Sequence, residues 1–335
     1  MERRDVAVIG AGPVGLFAVF ELGMLGLGCH VLDVLDMPGG QCAALYPEKP
    51  IYDIPGYPEI AAQELVARLS EQARPFDPLY HLGHRVDRLE ALKGGGFRLG
   101  TEDGRDVVAD AVVIAAGVGA FGPNRPPLDR IEEFEGKSVF YLVRRREDYR
   151  GRRVVIAGGG DSALDWTLSL AEVAAHVMLV HRRDKFRAAP QSLARLKELA
   201  ETGKVELVTP CQLRALEGEG GELKTVIVAD LDGRERRLEA DRLLPFFGLS
   251  MNLGPIAEWG LALDQHHIVV DPATCATSVS GIFAIGDIVA YRAKLKLILT
   301  GFAEAAQAAR AIYALVRPGA ALHFEYSTMT GVPGR

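Results

Sequence analysis

Cysteine is scarce in this chain, and what there is does not pair. The 335 residues hold four, Cys29, Cys42, Cys211 and Cys275, with no C-x-x-C among them and no histidine cluster beside them. Such spacing argues against a disulfide framework or a zinc site, and no metal ligand is assigned. Unpaired thiols in a chain of this size point to a reducing cytoplasm. Positive charge is in deficit, with 38 Lys and Arg against 44 Asp and Glu. That excludes a globally basic nucleic-acid binder, though not a local basic patch. Long apolar runs are missing too. Residues 14–29 are mostly apolar, but Glu21 interrupts them, and they fall short of the roughly 20 residues a membrane span needs. An apolar strand and three glycines come first, which argues against a signal peptide. No membrane or nucleic-acid partner is expected.

Glycine, in contrast, is abundant at 37, within an ordinary globular composition of 48% apolar and 24% charged residues. The length allows one or two domains. Hydrophobic periodicity places strands at 5–9 and 30–33, helices at 13–26 and 62–74, a hairpin over 86–99 and a buried strand at 111–116. The pattern then restarts, with a strand at 153–157, a helix at 161–173 and a strand at 176–181. Shifting the chain by 148 residues lays Gly10 on Gly158, Gly12 on Gly160, Gly15 on Ala163 and Asp33 on His181. A repeated βαβ unit implies an α/β chain with two Rossmann-like dinucleotide-binding domains. Further strands are expected near 205–208, 225–228, 243–246 and 282–285, with a last helix over 301–316. That last segment fits best as a return to the first domain. The expected division is 1–119 with 247–335 for the first domain and 120–246 for an inserted second one. Both crossings are glycine-rich, as hinges often are.

The first turn reads Gly10-Ala-Gly12-Pro13-Val-Gly15. Gly10 allows the tight turn, Gly12 lets backbone approach a pyrophosphate, and Gly15 lets helix pack on strand. The helix N-terminus then offers N–H groups and a positive dipole end to phosphates. Asp33, 23 residues after Gly10, ends the next strand, where a carboxylate accepts from ribose hydroxyls. The second turn, Gly158-Gly-Gly160-Asp161-Ser162-Ala163, repeats the device with alanine last. In place of Asp33 it has His181, then Arg182 and Arg183, with Arg187 near. A carboxylate there would repel a 2′-phosphate, whereas guanidinium forks bind one. The pair therefore predicts an FAD-type first site and an NADPH second site. A solvated basic turn is the competing reading of the arginines.

Matching stretches over essentially the whole chain give a resemblance to the thioredoxin-reductase-like ferredoxin–NADP+ reductases of bacteria. They are Gly39-Gly-Gln-Cys-Ala-Ala-Leu-Tyr-Pro-Glu48, Tyr52-Asp-Ile-Pro-Gly56, the second glycine turn through Trp166, residues 181–187, Leu253-Gly-Pro-Ile256, Gly286-Asp-Ile288 and Lys294-Leu-Lys-Leu-Ile298. Thioredoxin reductases themselves carry a redox C-x-x-C ahead of the second glycine turn, and residues 140–149 hold no cysteine.

The resemblance implies a thioredoxin-reductase-like fold with the NADPH domain inserted in the FAD domain. It also implies electron transfer between NADPH and ferredoxin, a small acidic iron–sulfur protein, through bound FAD. On the same ground Asp33 holds the adenosine ribose, Gln41 and Tyr46 lie at the flavin ring, and Val86 and Phe121 line the FAD site. Asp287 bonds the ribityl or pyrophosphate part. Thr328 and a tail aromatic such as Tyr326 approach the ring, and the protein is a homodimer. One departure is Asp33, where relatives often have glutamate.

Other readings of the residues stay open. Tyr46 also suits a loop anchor, Asp287 a helix cap, and Cys42 a small buried residue. His266, His267 and His323 read as surface residues. Hydride transfer needs orientation more than a general base, so no acid–base residue is assigned. Basic runs at 144–146 and at Arg292, Lys294 and Lys296 are candidates for docking an acidic partner, or plain solvated faces. Flavodoxin, a thiol protein or a quinone are alternative acceptors, and a redox-sensing flavoprotein without turnover is the alternative outside catalysis.

Overall fold

The computed structural model describes residues 2–188, 190–320 and 331, without the side chains of residues 120–123 and 249–251. Two compact units emerge, Met1–Phe121 with Met251–Arg335, and Gly122–Ser250.

The first unit is organised by a seven-stranded sheet in the order Leu79–Leu82, Cys29–Asp33, Arg3–Ile9, Asp106–Ile114, Phe97–Thr101, Val86–Ala91. The first four strands are parallel and the last two form an antiparallel hairpin. Asp106–Ile114 changes partner along its length. Its residues 106–109 pair with the hairpin, and 112–114 pair in parallel with Ile282–Ala284. The late segment of the chain thereby completes the sheet begun at residue 3.

Strands covered on both faces read as near-continuous apolar runs, and Val6, Ala7, Val8, Val112 and Ile114 are fully buried. The helices Pro13–Met24 and Ile298–Val316 supply Val19, Leu22, Ala308 and Ile312 to one core. Leu253, Ile256, Ile268 and Ile288 pack with Ile9, Leu99 and Ile114 in another.

The second unit has a parallel sheet in the order Val205–Val208, His176–Val180, Arg153–Ala157, Arg242–Pro245. Helices Asp161–Leu170 and Pro190–Glu201 belong to it. So does an antiparallel sheet of Cys211–Glu219, Glu222–Asp230 and Glu235–Glu239. Its core gathers Phe134, Val155, Val180, Val226, Val228 and Leu243. The sequence pattern does not announce Leu79–Leu82, Pro190–Glu201, Cys211–Glu219 or Glu235–Glu239.

Candidate functional site

The repeat seen in the sequence recurs bond for bond. The Gly10 amide donates to Leu32 O at 2.7 Å, and the Gly158 amide to Val180 O at 3.0 Å. The Ile9 carbonyl accepts from Ala115 at 2.8 Å, as Ala157 does from Phe246 at 2.7 Å. A Cβ on Gly10 would lie 2.4 Å from Ala115 O, and one on Gly158 2.6 Å from Phe246 O. Each turn therefore presses against the next strand's end, and no side chain fits between them.

In the first unit Gly15 faces inward, where a Cβ would meet Gly10 O at 1.9 Å. Gly12 faces the other way. It precedes Pro13–Met24 as N-cap, no side chain caps the helix, and a Cβ there would meet only Gly40 Cα, at 3.9 Å. That leaves an open cradle with room for a phosphate to approach the backbone directly. Pro13 at the first helical position has no N–H to leave unsatisfied.

Asp33 is the second half of this device. Its Oδ2 accepts from the Ala11 amide at 2.6 Å and its Oδ1 from the Leu35 amide at 2.9 Å. The carboxylate thus ties the end of the second strand to the middle of the glycine turn. Burial pushes its pKa up, and the backbone hydrogen bonds from Leu35, Ala11 and Val34 oppose that. Each oxygen keeps a lone pair for a further donor.

One cavity of about 280 Å³ gathers most of the sequence-predicted residues of this unit. Gly10, Gly12, Pro13, Asp33, Gln41, Tyr46, Val86 and Asp287 all line it. Cys42 lines it too, and burial raises its thiol pKa to about 11. A Tyr46 hydrogen bond opposes that shift, and burial also pushes the Tyr46 hydroxyl above its usual range. Cys42 is thus a buried neutral thiol, and Tyr46 has a partner inside the cavity. Sequence reasoning missed His84, Arg85 and Asn252, which line the same space. The bond from the His84 amide to Asp33 O, at 3.1 Å, gives the signal in retrospect, since it depends on the unannounced strand Leu79–Leu82. Phe121 lies on the strand Ala120–Pro123, and its side chain is outside the description. Tyr326, Thr328 and His323 lie outside the described residues.

In the second unit Gly160 is the N-cap of Asp161–Leu170, again without a side-chain cap. Asp161 and Ser162 are exposed on its first turn, and Ala163 is buried beneath. The Arg187 amide donates to Gly159 O at 2.7 Å, folding residues 181–187 back onto the turn. The His181 ring lies over Gly159, where a Cβ would come within 2.2 Å of it, and stacks on Phe186 at 5.2 Å. Burial pulls the His181 pKa below the imidazole norm, and the charges of Arg182, Arg183 and Arg187 act the same way. The ring is therefore held more in its neutral form than a free imidazole, although a backbone hydrogen bond at Lys185 opposes this. Arg182, Arg183 and Arg187 are exposed around it.

Lys294 departs from expectation. Its side chain is only 6% exposed and pairs with Glu304, so it is no docking residue. Lys296 stays exposed and donates to His267 Nε2 at 2.7 Å, which makes His267 half-buried rather than free at the surface. At 144–146, Arg145 pairs with Asp148 and Arg146 with Glu172, while Arg144 is exposed. Among the described residues no His, Cys, Asp and Glu group could hold a metal ion, and no helix is long and apolar enough to cross a membrane.

The profile of the pyridine nucleotide-disulphide oxidoreductase family matches residues 4–311. The ferredoxin–NADP reductase of Paramagnetospirillum magneticum is 63% identical over 331 residues, 99% of this chain and 98% of that one. That of Rhodospirillum rubrum is also 63% identical, over 99% of this chain and 97% of its own. Among solved structures, a Lactococcus lactis thioredoxin reductase superposes with a TM-score of 0.81 at 24% identity, covering 93% of this chain and 99% of that one. At that identity the likeness is one of fold.

Proposed function

The chain belongs to the pyridine nucleotide-disulphide oxidoreductase family, and from that footing we infer that it is a ferredoxin–NADP reductase, moving electrons between NADPH and ferredoxin through FAD. One observation carries this reading. The same glycine turn is built twice, with Asp33 bonded to the Ala11 amide in one copy and His181 amid three exposed arginines over Gly159 in the other. The first suits ribose hydroxyls and the second a 2′-phosphate.

FAD supplies the redox chemistry when bound, accepting two electrons from NADPH and passing them on singly. The chain itself binds and orients. We assign Gly10, Gly12, Pro13, Gly15, Asp33, Gln41, Tyr46, Val86 and Asp287 to FAD, with Phe121, Tyr326 and Thr328. Gly158, Gly160, Asp161, Ser162, Ala163, His181, Arg182, Arg183 and Arg187 are assigned to NADPH. The ribose edge stays with Asp33, which keeps free lone pairs beside its two backbone bonds.

The acceptor is read from the relatives, which are named ferredoxin–NADP reductases, and the thiols agree with it. Cys29, Cys42 and Cys275 are buried, Cys211 is half-buried, and none is paired. No dithiol is available to carry electrons onward, which argues against disulfide chemistry. Arg144, Arg292 and Lys296 are the exposed cations offered to an acidic ferredoxin. We further propose a cytoplasmic homodimer. Unpaired thiols support the compartment, and the resemblance to the bacterial reductases supports the dimer.

Purified protein tests the reading directly. It should be yellow, and anaerobic NADPH should bleach the flavin bands. Colourless protein that takes up no FAD would remove the reading. A bound flavin that NADPH leaves oxidised would turn it toward a sensor.

A further inference from the structure

We propose that Glu304 is a positioning residue for the FAD site, its buried carboxylate holding the Gly286-Asp287 turn in place before the cofactor arrives. This rests on reading the cavity of the first unit as the FAD site, with Asp287 on its wall.

Glu304 is only 2% exposed, on the inner face of the last helix. Both of its carboxylate oxygens are engaged. Oε2 accepts from the Gly286 amide at 2.7 Å, and Oε1 accepts from the Tyr291 hydroxyl at 2.6 Å and from the Lys294 ammonium. Lys294 also lies 5.4 Å from the Tyr291 ring centroid. Burying such a pair is costly, and apolar replacements of similar volume often serve stability as well or better. Something besides stability is therefore a reason to keep it.

The Gly286 amide supplies that reason. Gly286 has φ +83°, a conformation only glycine takes readily, and a Cβ there would touch Val14 at 3.6 Å. Gly301, on the same helix as Glu304, also packs on Val14, where a Cβ would lie 2.4 Å from Cγ2. Val14 stands in the first turn of the helix whose N-cap is Gly12. Glu304 thus locks the Asp287 turn against the helix end assigned to the phosphates. A turn held this way loses no freedom on binding, and preorganisation raises affinity.

The test uses two charge-neutral pairs in full-length protein stripped of FAD. Glu304→Gln with Lys294→Met keeps an acceptor for the Gly286 amide. Glu304→Leu with Lys294→Met removes it. The first should bind FAD nearly as the wild type does, and the second roughly tenfold or more weakly. Equal affinity in both pairs, tight or weak, overturns the role of Glu304. Wild-type protein that binds no FAD removes the underlying reading instead. Amide hydrogen exchange supplies a readout without mutation, should the leucine pair not fold. Gly286 should be protected in the wild-type apoprotein, and fast exchange there overturns the proposal.

Discussion

Asp33 and Ala11 are joined by a 2.6 Å hydrogen bond from backbone amide to carboxylate, and their counterparts 148 residues on, His181 and Gly159, meet ring to backbone. One scaffold position is thus used twice with different chemistry. In the first copy a carboxylate closes the turn. In the second an imidazole ring does, so the position beside the neighbouring guanidinium groups holds no carboxylate.

Replacing Asp33 tests the first copy. Asp33→Asn keeps the shape but leaves one oxygen where two accept backbone amides. FAD should bind about tenfold or more weakly, the loss expected for a hydrogen bond to a charged group. Equilibrium titration of the apoprotein by flavin fluorescence measures it. Unchanged affinity would contradict the assignment.

Gly159→Ala tests the second. No positive φ forbids alanine there, but its Cβ would come within 2.2 Å of the His181 ring, itself stacked on Phe186. The ring must move, and residues 182–187 with it. KM for NADPH should rise several-fold more than KM for NADH. Parallel changes would show that the ring does not shape the 2′-phosphate pocket.

Lys294→Met alone should be far more harmful than a surface change. It strands a buried Glu304 carboxylate, and breaking a buried pair costs roughly 3–5 kcal/mol. Thermal unfolding should show a drop of many degrees. A near-silent variant would return Lys294 to the surface.

The His30–His81 contact predicts acid sensitivity. Since Glu2 O only accepts, His30 Nε2 donates to it at 3.0 Å, and His30 Nδ1 then accepts from His81 at 3.0 Å. Burial pulls both pKa values below 6.5, with Arg4 acting on His30, and His30, Arg105 and His84 on His81. At these two sites the unfolded chain therefore binds more protons than the folded one below about pH 6.5, so the stability they contribute is lost as pH drops through that range. Replacing both histidines with asparagine should shrink the change in Tm between pH 7 and pH 5. An unaltered slope would place the acid sensitivity elsewhere.

Much of this was legible in the sequence because glycine at fixed spacing between an apolar strand and a helix leaves few alternatives. Both turns, the closing strand Ile282–Ala284 and the difference between Asp33 and His181 follow from it. The elements that escaped lack a pattern to read. Pro190–Glu201 buries only Leu196, and Glu235–Glu239 buries only Leu238. Leu79–Leu82 is short and buries none of its four residues fully. Lys294 looked like a docking cation because a lysine in a basic run is usually solvated. Its partner lies ten residues on, across a turn and the start of a helix, and only the packed core brings them together. The stacking of His181 on Phe186 was hidden likewise, since it depends on how residues 182–185 loop back.

The most direct test of the whole account is steady-state cytochrome c reduction by the purified holoenzyme with NADPH, with and without added ferredoxin. The rate should depend on ferredoxin, saturate with it and fall with added salt, while reduction of a small neutral dye changes little. NADH should serve about a hundredfold or more less well in kcat/KM, as the loss of two charge-assisted bonds implies. Cytochrome c reduction that ignores ferredoxin, or runs equally on NADH, would contradict the account.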